Sequence, residues 1–127
     1  MGTPVEGTLN ALRRFRNVWM VQSDAGRRYL ALLEQHNAEL NTLLTSDAAF
    51  RAQALGVLIK LVKHVRTKKT VESKPIDPLL VAEIDAAMQR IAPKASPGLR
   101  NAIDSVRLDL ARFVGVPIAA GLSAVRH

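Results

Sequence analysis

Six cations fall within fifteen residues of this chain: Lys60, Lys63, Arg66, Lys68, Lys69 and Lys74. Long cationic side chains with few competing carboxylates are what phosphate contacts require. Between residues 51 and 74 there are seven cations, counting Arg51, against the single acid Glu72, a net charge of +6. The whole chain carries +7, from 18 Lys and Arg against 11 Asp and Glu, so nearly all the excess sits in this one stretch. A local excess of this kind selects acidic partners: nucleic acid, an acidic protein surface or anionic lipid. The stretch has no aromatic to stack a single strand and no helix-turn-helix pattern, so it recognises phosphate by charge and reads no bases. A solvated helix face is the plain alternative.

A second cluster, Arg13, Arg14 and Arg16, sits beside Phe15 and Trp19. Aromatics interleaved with arginines suit RNA or an interfacial membrane contact. The plainer reading puts Phe15 and Trp19 in the core and the three arginines in solvent, which makes this a secondary basic patch.

Residues for covalent chemistry are scarce. The absence of cysteine removes disulfides, thiolate metal sites and thiol nucleophiles. No glycine-rich phosphate loop, HExxH pair, calcium loop or nucleophile elbow is written in the sequence. Glu34 and Glu39 are five residues apart and do not share a helix face, and Glu83 and Asp85 diverge by two positions. Paired acid–base chemistry therefore lacks local support, and the expectation is a non-catalytic chain with no metal and no cofactor.

Three histidines stand apart. His36 lies inside an apolar stripe and reads as a hydrogen-bonded core side chain, with metal or haem ligation as the sharper alternative. His127 is terminal. His64 stands at the edge of its apolar stripe beside Lys60, Lys63 and Lys68. An exposed histidine among cations on a helical bundle resembles a histidine phosphotransfer domain, in which nearby cations stabilise the phosphoryl group. That family has Lys three residues and Gly four residues after the histidine. This chain has Thr67 and Lys68 there, so the resemblance covers His64 and its charge environment.

The elements that must position these residues are helices. Thr8 to Val21 places Leu12, Phe15 and Trp19 on one side at helical spacing. After the cap Ser23-Asp24, residues 27–44 carry Tyr29, Leu33, His36, Leu40 and Leu43 at alternating steps of four and three, with Gly26 weakening the first turn. Ser46-Asp47 caps a helix whose stripe is Phe50, Ala54, Val57, Leu58, Leu61 and Val65, with Lys60 and Lys63 on the other side. Residues 67–76, TKKTVESKPI, read as a polar and structureless connection, exposed and basic to about residue 77. Asp77-Pro78 and Ser96-Pro97 are caps followed by proline at the first helical position. Their stripes are Leu80, Ile84, Ala87, Met88 and Ile91, then Leu99, Ile103, Val106, Leu110 and Phe113. Gly115 and Pro117 end the last of these. The tail beyond carries Ile118, Leu122 and Val125 on one side, the stripe of a short sixth helix.

These readings define one all-α domain over residues 1–127, a bundle of about five amphipathic helices with a short sixth at the C-terminus. Its 127 residues suffice for a single core, and 4% aromatics make that core aliphatic. No segment reaches the roughly 20 apolar residues of a membrane span, and no signal-peptide pattern opens the chain. The expected protein is cytoplasmic or otherwise soluble, with peripheral membrane association as an option. Its expected role is a binding or adaptor module that engages an acidic macromolecule, nucleic acid or protein, through residues 60–74. A membrane-surface module meeting anionic headgroups with the same lysines is the alternative. The tail stripe must either pack on the bundle or form a homodimer.

Overall fold

A computed structural model describes residue 10 and residues 13–125. Residues 13–18 are helical (α1) and lead through a 3-10 turn, Met20–Gln22, into Ser23. Four caps then start four long helices by the same device, a side-chain oxygen accepting from a backbone N–H of the first turn. Ser23 accepts from Gly26 at 2.9 Å and opens α2, Asp24–Ser46. Asp47 accepts from Phe50 at 3.0 Å and opens α3, Ala48–Val65. A short helix α4, Lys68–Ser73, follows. Asp77 accepts from Leu79 at 2.8 Å and opens α5, Pro78–Ile91, and Ser96 accepts from Leu99 at 3.3 Å and opens α6, Pro97–Leu110. Proline stands in the first turn of both, where its missing N–H costs nothing. The tail forms α7, Ile118–Ala124.

Helices α2, α3, α5 and α6 run alternately up and down as a four-helix bundle. The ends of that bundle have different cores. One end gathers Phe15, Val65, Val71, Ile76, Leu80 and the tail residues Ile118, Leu122 and Val125. The other gathers Leu43, Phe50, Ala87, Ile91, Leu99 and Ile103. Ile118, Leu122 and Val125 are all buried, so the tail stripe packs on the bundle, and a homodimer through it would have to expose a core. Two segments seal this end: a single parallel bridge joins Ile76 to Val114, with Ile76 N–H donating to Val116 O at 3.0 Å and Gly115 N–H to Ile76 O at 2.9 Å. Gly115 makes that turn at φ +73°, a conformation that L side chains rarely adopt.

The structureless reading of residues 67–76 is corrected by α4. Thr67 is its N-cap, accepting from Thr70 N–H at 3.1 Å while the Thr70 hydroxyl accepts from Thr67 N–H at 3.1 Å. This reciprocal box usually carries Glu or Gln at the second position, and threonine hid the signal. Val71, read as one residue of a polar linker, is the most deeply buried side chain of the described chain, at 0% exposure. Val71→Ala is expected to cost about 2 kcal/mol in a denaturant melt, as two buried methyl groups do in a packed core. A loose connection would be indifferent to the same change.

Other sequence expectations fall outside the described residues. Leu12, the first turns of the first helix and His127 are among these. Among the described residues no helix is long and apolar enough to cross a membrane.

Candidate functional site

The two basic clusters that the sequence keeps apart meet at one end of the bundle. A cleft of about 490 Å³ has Phe15, Val18, Trp19 and Val65 as its apolar walls, with Arg14, Arg66 and Lys68 around it. Glu72 and Gln22 complete the rim. Arg14 comes from α1, Arg66 from the end of α3 and Lys68 from the first turn of α4. The α3–α4 corner at Thr67 turns the chain so that Arg66 and Lys68 flank the same opening. Phe15 is buried and Trp19 half-buried, so the indole keeps one surface toward the cleft. The arginines of α1 are thus no separate surface, at least at Arg14.

The other predicted cations lie around this opening with different degrees of freedom. Lys63, Arg66, Lys69 and Lys74 are exposed, as are Arg13 and Arg16. Lys68 reaches only a long 4.0 Å pairing with Glu72 four residues on, both ends in solvent. An exposed i,i+4 pair of that length holds little energy and leaves the ammonium available. Lys60 is exposed as well but differs in pairing across helices with Glu83 of α5, which places a carboxylate beside its ammonium. Arg16 donates to the Asn17 side chain at 3.2 Å and remains in solvent.

His64 does not belong to the exposed set. Its exposure is 5%, and its Nδ1 has no hydrogen-bond partner. Burial lowers its pKa below the usual histidine value, helped by the neighbouring Lys74 charge, with a hydrogen bond to Lys74 backbone opposing. A neutral, buried imidazole offers no nitrogen to a phosphoryl donor in solvent, so the expectation of an exposed phospho-accepting histidine is overturned. The sequence placed His64 at the margin of its stripe; Val62 and Val65 on either side are buried and carry the margin inward. A stability effect follows. The unfolded chain binds this proton more tightly than the folded one, so stability rises with pH across the window just below about 6.5 and falls on acidification through it. His64→Phe is expected to flatten the pH dependence of Tm between about pH 5 and 7, a window above the carboxylate range.

Sequence reasoning missed a polar cluster between α2 and α6. Asp109, exposed by 7%, accepts from Tyr29 Oη at 2.7 Å and from Arg28 at 3.0 Å, and Arg28 also reaches Ser105. The Arg28 guanidinium lies 5.5 Å from the centre of the Tyr29 ring. Burial and the Asp109 carboxylate push the Tyr29 hydroxyl far above its usual range, so it stays a donor. Nothing local announces this cluster, because its members are about eighty residues apart. At the far end of the same two helices, Glu39 accepts from Ser96 N–H and Oγ, both at 2.6 Å, and these bonds hold its carboxyl below the usual range.

A second cavity lies between those two polar contacts. It measures about 460 Å³, opens to solvent, and runs between α2, α3, α5 and α6 beside the core of one end, whose Phe50, Ala87, Ile91, Leu99 and Ile103 line it. The expected core histidine, His36, is half-buried on its wall with its ring against Gly98. Leu33 and Leu58, two members of the predicted core stripes, are exposed by 53% and 38% at its edge. Among the described residues no three His, Asp or Glu side chains gather as a metal site.

Comparison with protein-family models, curated proteins and solved structures finds no match.

Proposed function

We propose that this protein is a non-catalytic helical binding module that engages a single-stranded nucleic acid through the basic end of its bundle. The observation that carries this reading is the cleft itself, where an aromatic wall meets cations drawn from three elements. Phosphates of a strand would lie along Lys63, Lys68, Lys69 and Lys74. One base would enter between Arg14 and Arg66 to stack on Trp19. Stacking tolerates any base, since every base has a π-face, so the interaction is strong in charge and weak in sequence. The sequence alone denied this stretch an aromatic; Trp19 supplies one from forty residues away.

Exposed Val18 and Val21, at 44% and 42%, flank Trp19 and favour a second reading, insertion into an anionic bilayer surface. The two separate in one panel that compares a single-stranded uridine oligonucleotide, a duplex of equal length and phosphatidylglycerol vesicles at the same salt. The single strand should bind more tightly than the duplex, and the vesicles should leave the protein in the supernatant. Equal binding of strand and duplex would remove the stacking role, and sedimentation with vesicles alone would hand the site to lipid.

A further inference from the structure

We infer that the cleft at Trp19 prefers guanine in the strand it binds, and that Glu72 and Gln22 together read that base. This inference rests on the nucleic-acid reading of the basic end and adds a base preference to it. Between residues 51 and 74 Glu72 is the single acid among seven cations. On a surface that recognised phosphate alone, a carboxylate there would only oppose binding. Yet Glu72 stands on the rim of the cleft with Gln22, among Arg14, Trp19, Arg66 and Lys68. Both side chains are exposed, and the fold uses up neither polar end. Glu72 lies 4.0 Å from Lys68, beyond hydrogen-bond distance. Among the described residues the Gln22 side chain has no hydrogen-bond partner.

The two groups select one base by their donor and acceptor pattern. A base stacked on Trp19 keeps its Watson–Crick edge free to meet the rim. An ionised carboxylate only accepts, through two oxygens side by side, while a glutamine amide supplies a donor. Guanine alone has the matching edge: N1–H and N2–H donate to Glu72, and O6 accepts from Gln22. Adenine and cytosine put a ring-nitrogen acceptor where guanine has N1–H, so a lone pair faces the carboxylate. Uracil has one N–H between two carbonyls, which leaves a Glu72 oxygen against a carbonyl oxygen. Each mismatch leaves polar groups unpaired or opposed. Phosphate affinity still comes from the lysines, and the base preference is confined to the one nucleotide in the cleft.

The test is the affinity of the full chain for three short single strands at one salt concentration. One is all uridine, one has a single internal guanosine, and one has inosine there, which is guanosine without its N2 amine. The guanosine strand should bind roughly tenfold more tightly than the uridine strand, as a bidentate base contact provides. Inosine should lose most of that gain. Glu72→Gln should then act with opposite signs on two strands. Loss of a negative charge should tighten the uridine strand, while loss of the paired acceptor should weaken the guanosine strand. Guanosine monophosphate, with a single phosphate, should compete only weakly. Equal affinity for the uridine and guanosine strands, or equal tightening of both by Glu72→Gln, would overturn the inference and leave the nucleic-acid reading standing. Failure of every strand to bind would remove both. A monophosphate that competes as well as the guanosine strand would give the cleft to a free nucleotide and overturn the preference within a strand.

Discussion

Gly26→Ala is expected to destabilise the protein by about 3 kcal/mol, opposite in sign to the usual effect of that change in a helix. Glycine in the first turns of a helix normally loses roughly 0.5–1 kcal/mol relative to alanine through the freedom of the unfolded chain. At Gly26 packing reverses the balance. A Cβ there would lie 2.6 Å from Met20 Cα and 2.7 Å from its carbonyl carbon, and closer still to the carbonyl oxygen. The obstacle is backbone, which cannot rotate aside as a side-chain end could. Either the start of α2 or the Met20–Gln22 turn must move. That turn carries α1, and with it Phe15, Trp19 and Arg14. A drop of roughly 10 °C in Tm is therefore expected, together with a red shift of Trp19 emission as the indole loses its wall. A gain in stability would place the turn away from α2 and dissolve the cleft.

Gly26 illustrates what the sequence could and could not reveal. Read alone, it weakens a helix start; its reason is a neighbour six residues earlier that folds back over it. The caps were legible because their chemistry is local. Ser23, Asp47, Asp77 and Ser96 each bond an N–H two or three residues on, and the helices begin where those residues stand. The all-α class was legible for the same reason. The α4 helix escaped because threonine replaces the acid that usually marks its capping box. The cleft escaped because Arg14 and Arg66 are joined only by tertiary folding. His64 and Asp109 escaped for a related reason: burial of a polar side chain is decided by the partner helix, and single-helix periodicity does not contain the partner. The stripes of α2, α3, α5 and α6 predict four faces that close on one another, whereas residues from all four line a groove open to solvent.

Reversal of Lys63, Arg66, Lys68 and Lys69 to glutamate should weaken binding of a single strand by far more than a hundredfold near physiological salt, because every attraction to phosphate becomes a repulsion. The circular dichroism spectrum should change little, since all four side chains are exposed. The salt dependence supplies a second readout. Each phosphate neutralised on a single strand contributes roughly −0.7 to the slope of log affinity against log salt, so removing all four cations should flatten that slope by about three. A fall in affinity with the slope unchanged would mean that these side chains shape the cleft without touching phosphate.

Trp19 is the sole tryptophan, and it lines the cleft, so its emission reports the proposed site directly. The most direct measurement is a fluorescence titration with a single-stranded uridine oligonucleotide of two double variants matched in net charge. Arg14→Glu with Arg66→Glu alters the cleft, while Arg51→Glu with Arg90→Glu alters exposed residues at the opposite end of the bundle. In the wild-type protein and the distal variant the oligonucleotide should quench Trp19 with similar affinities. The cleft variant should bind at least tenfold more weakly and show no quenching at the same concentrations, as expected when both cationic flanks of a stacking site are reversed. Equal loss in both variants would reduce the effect to bulk charge, and retention of quenching in the cleft variant would contradict a binding site at Trp19.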